Sequence, residues 1–165
     1  ISLIVELIED PEEIRGQMKS LSVMKRGEVV TAEDVNAMCL DDGSKSLLRL
    51  LDGLCNGDRI AVLKNFRSIS NNGDLIPLTS ALHNRMRLAW YAAVNPRESA
   101  MFAKSMGARD YAWRMAGYAA KRYGKDAVSR FVMGLIRINV DEKGGAGAGW
   151  NSLEALLIEI LEKGK

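Results

Sequence analysis

The sequence predicts an all-α protein, and three observations carry that reading. Leucine-type residues recur at helical spacing, as in Leu47, Leu50, Leu51 and Leu54, one buried stripe at i, i+3, i+4 and i+7. Helix start and stop signals separate the stripes at regular intervals. No segment of useful length alternates apolar and polar residues in the way a half-buried strand requires.

The elements follow in order. Asp10-Pro11-Glu12-Glu13 reads as a helix start, with a capping Asp, Pro at the first helical position and carboxylates at the positive dipole end. Ile14, Met18 and Leu21 give that helix its apolar face, and Gly27 is expected to stop it. Glu28-Val29-Val30 is short and extended. Thr31 through Asp34 reads as a capping box with Asp in place of Glu, opening a short helix through Val35 and Met38. Asp41-Asp42-Gly43 is expected to interrupt the chain, and a longer helix starts at Ser44.

Asn56-Gly57-Asp58 is predicted to turn the chain and cap a helix with Ile60, Leu63 and Phe66 inward. Asn71 to Asp74 is a second such turn. The next helix carries Leu75, Leu78, Leu82, Met86 and Ala89 on one side and ends at Val94, before Asn95-Pro96. Pro77 lies early enough in it to be tolerated. A short helix is predicted from Glu98 to Met106 and another from Ala108 to Arg122. Val128, Phe131, Val132, Leu135 and Ile138 mark a further stripe, and Leu153, Leu156, Leu157, Ile160 and Leu161 the last. Residues 144–149 between them read as a loop. The break near residues 40–44 is the candidate boundary, giving units of 1–42 and 44–165.

With 165 residues, 47% apolar and 27% charged, the chain is globular rather than disordered or fibrous. No apolar run approaches the roughly 20 residues needed to span a bilayer, and no signal-peptide pattern opens the sequence. Its two cysteines, Cys39 and Cys55, are too few for a disulfide framework. Both are expected reduced, in a cytoplasmic protein. The chain begins at Ile1, inside an amphipathic element, and is therefore expected to be a fragment.

Charge is uneven. Residues 1–80 carry nine basic and thirteen acidic side chains, whereas residues 81–140 carry eleven and three. The basic stretch implies an anionic neighbour, nucleic acid or an acidic protein surface, or else solvated helix faces paired with the acidic half. Tyr111, Trp113, Tyr118 and Tyr123 interleave with Arg109, Arg114, Lys121, Arg122 and Lys125. Cations beside stacking rings suit single-stranded nucleic acid. Yet Tyr111, Met115 and Tyr118 also fall at the spacing of a buried helix face. The candidate anionic-partner patch comprises Arg85, Arg87, Arg109, Arg114, Lys121 and Arg122.

Catalytic chemistry finds no pattern. The glycine run 144–149 ends in Trp150 and Asn151 with no Lys, so it is not a phosphate-cradling loop. His83, the sole histidine, has no Cys or second His at ligand spacing and no acid in register with Ser80. The acid pairs Glu12-Glu13, Asp41-Asp42 and Asp141-Glu142 adjoin helix ends, where capping explains them. No catalytic, metal-binding or cofactor-binding residue is predicted, and the chain is expected not to be an enzyme.

Four stretches resemble the C-terminal half of the bacterial DNA polymerase III delta subunit, a clamp-loader family. Gly27-Glu-Val-Val-Thr-Ala-Glu-Asp-Val35 is similar to the segment joining the family's AAA+-type lid to its collar. Ser46 to Phe66 looks like the opening helix pair of the collar. Leu75 to Val94 is similar to the long helix with basic residues, here Arg85 and Arg87, near an aromatic end. Met106-Gly-Ala-Arg109, the helix through Arg122, and Asn139-Val-Asp-Glu-Lys143-Gly before Leu153-Glu-Ala-Leu-Leu157 match the family's ending. The loop at Gly144–Gly149 is longer than the family's.

The resemblance implies a lid remnant at 1–42 and a helical collar at 44–165 that packs against other clamp-loader subunits in a hetero-oligomer. It implies a role in DNA replication, with the sliding clamp bound only through an N-terminal domain this sequence lacks. ATP would be hydrolysed by other subunits. Trp90, Tyr91 and Trp150 are the candidate subunit interface, with one of the adjacent pair Trp90 and Tyr91 packing inside and the other against a neighbour. DNA is a further candidate partner and a membrane is not. The alternative is a stand-alone basic helical module that binds nucleic acid.

Overall fold

The computed structural model describes residues 11–31, 34–35, 42–145 and 149–164, and among these there is no strand. The fold is all-α. Its described helices are α1 (Pro11–Lys25), α2 (Asp42–Asn56), α3 (Arg59–Asn72), α4 (Leu75–Val94), α5 (Ser99–Ser105), α6 (Asp110–Lys143) and α7 (Gly149–Lys163). The chain divides into two compact units, 1–45 and 46–165.

In the first unit α1 buries Leu21 and half-buries Ile14 and Met18, the predicted face. Arg26 and Gly27 then take positive φ values of 39° and 101°, which ends the helix. The expected cap at Asp10, and Met38, Cys39 and Asp41, lie outside the described residues. Thr31 and Asp34 form the predicted reciprocal box. The Thr31 N–H and hydroxyl donate to Asp34 Oδ2 at 2.9 and 2.8 Å, and the Asp34 N–H donates to Thr31 Oγ1 at 3.2 Å. Lys25 adds an ion pair to Asp34 at 3.0 Å.

Asp42-Gly43, expected to interrupt the chain, instead begins α2. Gly57, at φ 71°, turns the chain after α2, and Asp58 caps α3 by accepting from the Ala61 N–H at 2.9 Å. On α3 the buried line is Val62, Phe66 and half-buried Ile69, whereas Ile60 is 81% exposed. Residues two apart on a helix point about 200° apart, so Ile60 faces away once Val62 faces in.

The core of the second unit lies along α4 and α6. Leu78, Leu82 and Met86 of α4 and Val128, Phe131 and Leu135 of α6 are all but fully buried. Each such side chain contributes on the order of 2 kcal/mol relative to exposure. Leu153 and Leu157 bring α7 onto the second half of α6, where Gly134 sits against the Leu156 side chain. Two predicted helices join in α6, which is bent at Gly124 with φ 72° and ψ 170°, far from helical. Its first half is buried through Met115, Ala116, Ala119, Ala120 and Tyr123. Tyr118, placed by the aromatic spacing on the inward face, is 48% exposed because small alanines, not rings, line the close approach.

The glycine run has a packing role at its end. Gly149, read as loop, is the buried first residue of α7, and a Cβ there would run into Leu75 Cδ2 and Glu142 Oε2. Only glycine lets α7 start that close to α4.

Candidate functional site

Of the six basic residues of the predicted patch, one is internal. Arg85, on the inner side of α4, is 8% exposed. Its guanidinium donates from Nη1 to Asp52 Oδ1 at 3.3 Å and sits 5.9 Å from the Tyr111 ring centroid. The Tyr111 hydroxyl donates to the other oxygen, Asp52 Oδ2, at 2.5 Å. Arg114, exposed on the next turn of α6, lies 5.6 Å from the same ring. Burial pushes the Asp52 carboxyl up, against the opposing pull of Tyr111 and Arg85. Burial and the Asp52 carboxylate hold the Tyr111 hydroxyl above its ordinary range. This cluster fastens α2 to α4 and α6, so Arg85 is first of all a structural cation.

Two hollows take up the remaining basic residues. Arg87 and Arg109, with the inner Arg85, line a groove of about 410 Å³ between α4 and residues 106–112. Asn84 and the apolar side chains of Leu51, Leu88 and Met106 complete its wall, and no carboxylate lines it. Arg87 Nε is buried with no hydrogen-bond partner. Lys121 and Arg122 line a second, shallower hollow of about 280 Å³ with Cys55, Asn56 and Tyr118. There the Arg122 guanidinium lies over Gly57, close enough that a Cβ would meet its Nη1 at 2.7 Å.

The three predicted interface aromatics find partners within the unit. Tyr91 stacks on Phe102 with centroids 3.5 Å apart, and Trp90 meets Tyr91 edge-on at 5.0 Å. The adjacent rings therefore touch rather than diverge, and the chain's own α5 covers Tyr91. Trp150 packs edge-on to Phe66 at 5.8 Å. All three stay half-buried.

A different apolar surface is open. Met133, Ile136 and Val140 are 56%, 42% and 63% exposed on one face of α6. Ile136 and Val140 border a groove of about 430 Å³ shared with Thr79, Ser80 and His83 of α4. Aromatic content singled out the first set, and only the third dimension distinguishes it from this one.

No protein-family model matches the sequence, and no curated protein matches it either. Among solved structures, the Bacillus subtilis DNA clamp loader delta protein (YqeN) superposes with a TM-score of 0.69 over 92% of this chain. Identity is 16%, and the chain spans 46% of that protein's length. The likeness is one of fold. It agrees with the architecture that the sequence resemblance implies.

Other chemistry is sparse among the described residues. No group of three or more His, Cys, Asp or Glu side chains could hold a metal ion, and no helix is long and apolar enough to cross a membrane. His83 is half-buried, and burial together with Arg87 lowers its pKa. Cys55 is a free, fully buried thiol pushed up to about 11 by burial.

Proposed function

We propose that the chain is the helical, assembly-forming part of a clamp-loader delta-type subunit, which docks onto sister subunits in the machinery that places a sliding clamp on primed DNA. The fold likeness to YqeN over nearly the whole chain carries this reading. The sequence resemblance of Ser46 to Phe66 and of Met106 to Leu157 to the delta family supports it independently of the fold. In this reading residues 44–165 serve as the collar and residues 1–42 as the end of an AAA+-type lid. The chain performs no catalytic step of its own and works in the cytoplasm.

The α6 face of Met133, Ile136 and Val140 is the surface best suited to a sister subunit. A cluster of exposed apolar side chains rimmed by Ser80, His83 and Asn139 has the composition of an interface core with a polar edge. Trp90, Tyr91 and Trp150, each already engaged with another ring, contribute their remaining exposed edges.

Co-purification with the other clamp-loader subunits of the same organism tests the reading. The wild-type chain should enter the complex, and Met133→Glu with Ile136→Lys should exclude it while leaving the helical circular dichroism spectrum intact. A folded wild-type chain that never joins those subunits would sink the proposal.

A further inference from the structure

We infer that docking of a sister subunit in the groove between α4 and α6 is linked to the proton on His83. The partner binds the chain with this imidazole neutral and is released when the ring takes up a proton. The inference rests on the assembly reading above and adds the regulation of that surface. His83 is the sole histidine of the chain, and it lines the groove of about 430 Å³ that Ile136 and Val140 border. It is already half-buried in the free chain. An occupant that covers Ile136 and Val140 therefore takes away the water the ring still has. That loss disfavours an imidazolium and costs the neutral ring far less.

A proton on His83 would find no counter-charge in the groove. Across it α6 contributes Leu135, Ile136, Asn139 and Val140, and α4 contributes Thr79, Ser80 and Asn84 beside the histidine. All of these side chains are uncharged. Arg137 and Asp141 of α6 are exposed and lie outside the lining. On α4 itself Arg87 follows one turn later and adds a like charge, while Arg85 is turned inward to Asp52. Burial and then the Arg87 charge lower the His83 pKa from 6.5 in the free chain. Apolar side chains of a partner deepen the first cause and leave the second in place, so the value falls further in the complex. Any proton on the free ring must then leave before docking. Below the free-chain value each pH unit weakens association by up to about tenfold, the limit for one proton. Well above 6.5 the ring is neutral in both states and affinity is flat.

Two measurements on the chain with its sister clamp-loader subunits test the linkage. With a single histidine present, isotope-labelled histidine gives one imidazole titration by NMR. Its midpoint should be lower in the complex than in the free chain. Affinity is then measured by surface plasmon resonance at about pH 7.5 and about pH 5.5, where the wild type should bind at least about threefold more weakly at the lower value. His83→Gln cannot titrate, so the ratio between its two affinities should lie near one. His83→Arg fixes the positive charge and should bind more weakly than His83→Gln at the higher pH. The NMR midpoints need no substitution and decide the question even where a variant unfolds. A midpoint that is equal or higher in the complex, or a pH dependence that survives in His83→Gln, would overturn the inference and leave the assembly reading standing. A wild-type chain that binds no sister subunit at either pH would remove both.

Discussion

The Tyr123 hydroxyl donates to the Leu54 backbone carbonyl at 2.6 Å, joining the residue before the bend in α6 to the last turn of α2. Helix-end carbonyls lack intrahelical partners, and Leu54 gains this one in addition to the Gly57 N–H at 3.2 Å. Tyr123→Phe keeps the ring in place and removes only the buried bond. It should cost about 1 kcal/mol, a drop in melting temperature of roughly 2–4 °C. Burial pushes the hydroxyl from 10.0 up to about 12. A raised folded-state value gives stability that is complete below pH 10 and lost as pH rises through about 12. Denaturant melts across that window should show the loss in the wild type and a smaller one in Tyr123→Phe.

The Asp52, Arg85 and Tyr111 cluster makes an asymmetric prediction. Asp52→Ala leaves a guanidinium that is 8% exposed without its carboxylate, whereas Arg85→Met leaves a carboxylate that is 22% exposed and still held by Tyr111. The first should cost about 3 kcal/mol and the second clearly less, because an unpaired buried charge is the larger penalty. The double variant should cost less than the sum of the two, since removing one partner relieves the other. Urea melts of the three variants measure the cycle.

Much of the fold was legible in the sequence because its stripes obey one period. The leucines of α2, the Leu75 to Ala89 face of α4 and the Leu153 to Leu161 face of α7 become core, and the Thr31–Asp34 box forms bond for bond. Where period alone was ambiguous the reading slipped. Ile60 is apolar and helical but on the far side of α3, and Tyr118 yielded the inward face to Ala119 and Ala120. The basic residues were countable but not assignable. Asp52 and Arg85 are 33 positions apart, and only packing reveals that their pairing withdraws Arg85 into the core while Arg87 and Arg109 meet across a groove. The aromatics were equally unassignable from sequence: Tyr91 and Phe102 find each other within the unit, and the open apolar face of α6 is made of aliphatic residues.

Gly124 allows a test of backbone strain free of crowding. At φ 72° and ψ 170° it occupies a region open essentially to glycine, yet a Cβ there would meet nothing within 4 Å. Gly124→Ala should therefore destabilise by about 1–3 kcal/mol through conformation alone. Gly117, in the same helix, is equally uncrowded and has no positive φ. Gly117→Ala should instead be neutral or stabilising by up to about 1 kcal/mol. Opposite shifts in thermal midpoint would bear out the contrast.

Cys55 should be chemically silent in the native state. The thiolate is the reactive form, and burial holds this thiol at about 11 with no exposed surface. A thiol reagent added at pH 8 should label it only as fast as the unit opens, and the rate should rise steeply with denaturant. Prompt native-state labelling at this residue would contradict its burial.

The Thr31–Asp34 box predicts an acid titration with a defined sign. Hydrogen bonds from Thr31 and then Lys25 lower the Asp34 carboxyl from 3.8 to about 2. A depressed folded-state value means that its stabilising contribution is present above 3.8 and disappears as pH falls through about 2. Thr31→Ala removes the hydroxyl donor but keeps the backbone N–H, so the carboxyl should move only part of the way back. Lys25→Met removes the ion pair and should move it less than the loss of both Thr31 bonds would. Carboxyl-carbon NMR shifts of Asp34 followed against pH give all three midpoints. A wild-type midpoint at the ordinary aspartate value would mean that the box does not form in solution.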